Sequence, residues 1–230
     1  MSARRSRPPR QARRAILIVC EGAETEPRYF KALTHRLGLA ATVEVQIRGD
    51  TGYTDPAGLV RAATELKAAR AREARASNVV AAFEEVWVVF DIEHPGNGRQ
   101  RAIAPAVQTA LNSACKPVLS RPSFEVWYLL HDRPTPPGVA SSRDCTPHLR
   151  ALIGDYDKHR AAASQAAEWA LPRTQQALTH GHRQHVFSGP ETSPAAHVPA
   201  AVGTAVHRLV QTLVDMSSDA AGKRTLGVEG

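Results

Sequence analysis

The segment Ala15-Ile-Leu-Ile-Val-Cys20 runs for six residues without a polar side chain and is rich in β-branched residues. A strand with one wet face alternates apolar and polar residues; an unbroken run belongs to a strand covered on both faces. Such a strand needs helices above and below it, which selects an α/β fold with a mainly parallel sheet. The segment is too short to span a membrane or to serve as a secretory apolar core. A second run, Val86-Trp-Val-Val-Phe90, repeats the pattern. A chain of 230 residues buries roughly 70% of its unfolded surface, enough for one large domain with a helical annex. With five Phe, four Tyr and three Trp, the interior must be filled mainly by Ala, Val and Leu.

Around these runs the remaining elements can be placed. Thr25 and Pro27 suit the opening of a helix whose apolar face is Tyr29, Phe30, Leu33 and Leu37, with Gly38 ending it. Gly22 supplies a turn after the first strand. Residues 42–48 alternate as an edge strand does, and a helix is expected over 56–76. Further helices are expected over 99–113, 123–131, 146–153, 161–170 and 202–214, with a short strand at 116–120. Apolar stripes on the 123–131 and 202–214 helices suit the core by default, or a homodimer surface. The organisation that follows is a basic flexible arm at 1–14, an α/β core at 15–132, a mostly helical extension at 133–215 and a frayed tail at 216–230.

Charge is unevenly placed. Six of the 29 basic side chains, Arg4, Arg5, Arg7, Arg10, Arg13 and Arg14, fall in the first fourteen residues, which carry no acid. With 22 acids in the rest, the body is nearly neutral. The arm suits attraction to polyanions, or simple solubilisation, in equal measure. Cys20, Cys115 and Cys145 form no CxxC pair, so neither structural zinc nor a disulfide framework is expected. These features point to a soluble, cytoplasmic protein.

Both apolar runs end on an acid, Glu21 and Asp91. Parallel strands bring their carboxyl ends to one edge, where ligands bind in α/β sheets. If the extended backbone continues past Asp91, Glu93 points the same way and adds a third carboxylate. Oxygen donors crowded in one cleft suit Mg²⁺ or Mn²⁺, which accept phosphate oxygens and activate water. The plainer reading is that strands end at solvent and acids tolerate solvent. No Walker A loop, GxGxxG turn, HExxH pair or GxSxG elbow is present, so the chemistries tied to those motifs lose their support.

Three stretches carry a resemblance. Cys-Glu-Gly-Ala-Glu-Thr-Glu-Pro-Arg-Tyr-Phe (20–30), Val-Trp-Val-Val-Phe-Asp-Ile-Glu-His (86–94) and Arg-Pro-Ser-Phe-Glu-Val-Trp-Tyr-Leu-Leu-His (121–131) resemble, in order, the motifs of the RloB-like family. Tyr156-Asp157-Lys158 and residues 204–210 are similar to weaker later signatures. The resemblance implies a Toprim-like, Rossmann-like three-layer sandwich with a central, mainly parallel sheet and a helical C-terminal extension. It implies metal ligation by Glu21, Asp91 and Glu93, although relatives favour aspartate at the last position. It further implies a nuclease cleaving RNA or DNA, the toxic effector of bacterial anti-phage abortive infection, beside a separate AAA- or ABC-type ATPase. The competing reading is a non-catalytic, nucleic-acid-binding or regulatory subunit of such a complex. No membrane partner is implied.

Among further site residues, Glu125 is either a fourth catalytic acid or a charge favoured at a helix start. His131 lies six residues on, about 600° around a helix, so the two do not share a face. His131 is read as a packed or helix-capping residue, or else a substrate contact. Arg28 and Lys158 are candidate phosphate contacts; a surface ion pair and a solvated charge are the ordinary alternatives.

Overall fold

A computed structural model describes residues 14–47, 55–77, 79–93, 100–134, 138–157 and 160–228. Apart from Arg14, the basic arm lies outside the described residues, as does Lys158. The first apolar run forms β1 (Ala15–Cys20), the alternating segment β2 (Val43–Ile47), the second run β3 (Phe83–Asp91), and Lys116–Arg121 forms β4. A two-residue strand, β5 (Gly203–Thr204), completes one sheet of order β2-β1-β3-β4-β5. The first four strands are mutually parallel and β5 is antiparallel to β4. The α/β sandwich with its helical C-terminal extension is therefore the architecture that the Toprim-like expectation required, with β2 at the edge.

Alternation along the strands sorts the core into two layers. Ile16, Ile18, Cys20, Trp87, Val89 and Val118 face one side. There they pack against α1 (Thr25–Arg36), α4 (Glu125–Leu129), α5 (Ser142–Ile153), α6 (Arg160–Ala170), α7 (Thr174–His182) and α8 (Val206–Met216). Leu17, Val19, Val86, Val88, Phe90 and Leu119 face the other side, against α2 (Pro56–Ala76) and α3 (Gln100–Asn112). Every residue of β1 is buried, as its composition required. All three cysteines are buried and none is in a disulfide; Cys145, in an otherwise polar stretch, packs in the first layer. Among the described residues no helix is long and apolar enough to cross a membrane.

Several local expectations need correction. Thr25 does not cap α1: Glu24 holds the cap position without a side-chain cap bond, and Thr25 is already helical. The helix does end at Gly38, whose φ of 67° favours glycine. Helix α5 starts earlier than expected, at Ser142, because Ser141 and Asp144 form a reciprocal capping box. Helix α8 starts later, because Gly203 and Thr204 pair with β4. The tail is not frayed throughout. Asp219 caps α9 (Ala220–Thr225) through Gly222 N–H at 2.9 Å, and Leu226 is fully buried.

Docking of α9 makes a prediction. A Cβ on Gly222 would lie 2.1 Å from the backbone oxygen of Arg36, which cannot swing away as a side chain can. Gly222→Ala is expected to cost about 1–3 kcal/mol. Each kcal/mol lowers the melting temperature by about 2–4 °C in a chain of this size. An unchanged thermal midpoint would show that α9 does not dock on α1.

Candidate functional site

Because β1 and β3 are parallel neighbours with Cys20 opposite Val89, their ends meet at one edge. The Glu21 amide donates to the Val89 carbonyl at 3.0 Å, extending the ladder one residue beyond β1. The Glu21 carboxylate then turns toward β3, where Oε2 accepts from the Asp91 amide at 3.2 Å. The two acids named by the apolar runs thus stand side by side. They open onto a cleft of about 390 Å³ lined also by Glu24, Glu26, Glu93 and Glu125, with Gly22, Ala23, Thr25 and Phe124. Among the described residues, six carboxylates and no basic side chain line it. Like charges at this density repel, and the arrangement favours cations over anions.

Each acid is placed differently. Glu26 is nearly buried and its Oε1 accepts from Gly22 N–H at 3.3 Å. A Cβ on Gly22 would sit 2.1 Å from Glu26 Oε2, so a larger residue would displace the Glu26 carboxylate from this position, and Gly22 has no left-handed φ. Glu24 is paired with Arg28, one helical turn on. Arg28 Nη1 also donates to Ser164 Oγ on α6 at 3.3 Å. The ion pair, the ordinary alternative for Arg28, is what the fold contains.

Glu93 departs from the expected geometry. The strand-like bonding continues to Ile92, whose amide donates to Ser120 O at 2.9 Å. Glu93 itself adopts a left-handed φ of 58° and is exposed. Alternation therefore does not set it beside Asp91, although it still lines the cleft. Among the described residues no group of three or more His, Cys, Asp or Glu stands close enough to hold a metal ion together.

Glu125 opens α4 and is 1% exposed, yet lies on the cleft wall. It accepts a hydrogen bond from the Tyr156 hydroxyl at 3.2 Å. Burial first, then the charge of Glu125, push the Tyr156 phenol above its ordinary pKa, so it stays a donor. Tyr156 was given no role by sequence reasoning. Its partner is 31 residues away, and no local pattern announces such a contact.

His131 is a correction to the candidate substrate contacts. It is fully buried outside the residues lining the cleft, and Nδ1 pairs with the Trp127 carbonyl at 2.8 Å, capping its own helical turn. Its ring packs edge-on against Trp127, with centroids 4.9 Å apart. Burial pushes its pKa down to about 3, leaving it neutral. Packing and capping, not contact with a substrate, are what the fold uses it for.

The donor set has the chemistry of a hard divalent cation: oxygen only, anionic, at a strand edge. Magnesium is commonly held by one or two carboxylates, with waters and substrate phosphates supplying the rest. Among the acids that line the cleft, Glu21 and Asp91 are the two that could hold such an ion.

A family model described as RloB-like protein matches residues 16–213. No curated protein and no solved structure matches the chain.

Proposed function

The chain belongs to the RloB-like family, and from that premise we propose that it is a Mg²⁺- or Mn²⁺-dependent nuclease acting on RNA or DNA. Its setting is the cytoplasm, as the toxic effector of a bacterial abortive-infection defence against phage, controlled by a separate AAA- or ABC-type ATPase. The observation that carries the reading is the contact of Glu21 with the Asp91 backbone inside a cleft lined by six acids. A polyanion cannot approach such a surface unless a cation intervenes.

In this reading Glu21 and Asp91 hold the cation, with Glu93 reaching it through water and Glu125 as the fourth acid. The bound ion supplies Lewis-acid polarisation of the phosphate and an acidified water. The chain supplies orientation. One oxygen of Glu21 is fixed by the Asp91 amide, and Asp91 itself is anchored in the ladder opposite Ser120. Glu21 has the alternative role of general base. The arginine-rich arm, which carries no acid, supplies the salt-sensitive attraction to nucleic acid.

The second reading, a non-catalytic subunit of the same complex, is favoured by one observation: no three metal-ligating side chains converge among the described residues. End-labelled RNA and DNA incubated with the purified chain, with and without its ATPase, separate the two. Strand cleavage in Mn²⁺ that EDTA removes is expected. Intact substrates under every condition, with no saturable Mn²⁺ binding, would select the second reading.

A further inference from the structure

Glu125 and Tyr156 belong to different parts of the chain, the start of α4 and the turn beyond α5. Both are 1% exposed, and the phenol donates to Glu125 Oε1 at 3.2 Å. Glu125 shares its cleft with five other carboxylates, each of which favours its turning away. A directional donor is what holds a shielded carboxylate in one orientation against that repulsion. Tyr156 is well placed to do so. Arg150 Nε donates to its carbonyl at 3.0 Å, its amide donates to Gly154 O at 2.6 Å, and its ring packs against Tyr128 at 6.4 Å between centroids.

We propose that Tyr156 is a positioning residue of the cleft, its hydroxyl fixing the Glu125 carboxylate on the cleft wall, from where its charge favours a cation held by Glu21 and Asp91 and reaches it through water, not as a third direct ligand. This rests on the metal-centre reading above and deepens it. The helical extension then contributes to the centre itself: packing of the turn after α5 sets cation affinity. Groups that orient the acids of a metal site typically govern affinity by about 10–100-fold without touching the ion.

Calorimetric titration of the full chain with MnCl₂ tests this, with thermal melts confirming that each variant folds. Tyr156→Phe is expected to weaken Mn²⁺ binding about tenfold or more. In the Glu125→Gln background the same change should add nothing, because the acid through which it acts is already gone. Glu125→Asp keeps the charge but withdraws it from the phenol, and should weaken binding comparably; it serves if Tyr156→Phe does not fold. Wild-type affinity in Tyr156→Phe or Glu125→Asp overturns the inference alone. So does an equal loss from Tyr156→Phe with and without Glu125. A wild-type chain that binds no Mn²⁺ overturns the metal-centre reading and the inference with it.

Discussion

Replacing Asp91 with alanine is expected to abolish metal-dependent cleavage, by about 10³-fold or more, and to leave the fold in place. The metal's stabilisation of charge developing on phosphorus is worth several kcal/mol, and about 1.4 kcal/mol is a factor of ten in rate. In the proposed centre Asp91 is one of two principal ligands, and its loss forfeits most of that. The fold should survive because the bond that joins β3 to Glu21 uses the Asp91 backbone amide, which alanine retains. One charge fewer among six crowded carboxylates also relieves repulsion, so the metal-free variant should melt no lower than wild type. Glu21→Gln isolates charge from geometry: its amide oxygen still accepts from Asp91, yet cleavage should fall comparably. Cleavage rates and melting curves for both variants check this. An Asp91→Ala protein that cuts at the wild-type rate would remove Asp91 from the site.

Acid should unfold the protein through two buried histidines. Burial pushes His131 down to about 3 and His207 down to about 4 from an ordinary value near 6.5. Neighbouring basic side chains act in the same direction, Arg173 and His180 on His131, His182 and Arg208 on His207. The sign follows from which state binds protons. Below pH 6.5 the unfolded chain takes up protons at both positions while the native state refuses them, so stability falls as pH falls. It is fully present above 6.5 and is lost progressively down to about 4 and 3. Each histidine contributes about 1.4 kcal/mol per pH unit inside its window, together about 5 kcal/mol between pH 7 and 4.5. That is comparable to the whole stability of many domains. Urea midpoints across this range should drop steeply, and less steeply for His131→Asn, whose amide can still bond the Trp127 carbonyl. Equal slopes for wild type and variant would show that His131 is not buried neutral.

The parts of this molecule that were legible in sequence are those set by local chemistry. Six apolar residues in β1 leave no option but burial on both faces, and parallel pairing then fixes where Glu21 and Asp91 must end. The placing of Glu125 and His131 on different faces likewise followed from helix geometry, and of the two only Glu125 lines the cleft. What escaped depended on contacts distant in sequence. The left-handed backbone at Glu93 follows β3, where Pro122 O accepts its amide at 2.8 Å, and nothing in Asp-Ile-Glu encodes it. Helix α9 is six residues long, too short to persist alone, and forms because Gly222 meets Arg36 and Leu226 enters the core. Gly22 was rightly singled out but for a different reason, the approach of Glu26.

The most direct measurement is anomalous diffraction from crystals of the full chain soaked in Mn²⁺. A single strong peak at coordination distance, about 2 Å, from carboxylate oxygens of both Glu21 and Asp91 is the expected result. Saturating Mn²⁺ that leaves this edge of the sheet without a peak, or places one only elsewhere on the surface, would contradict it.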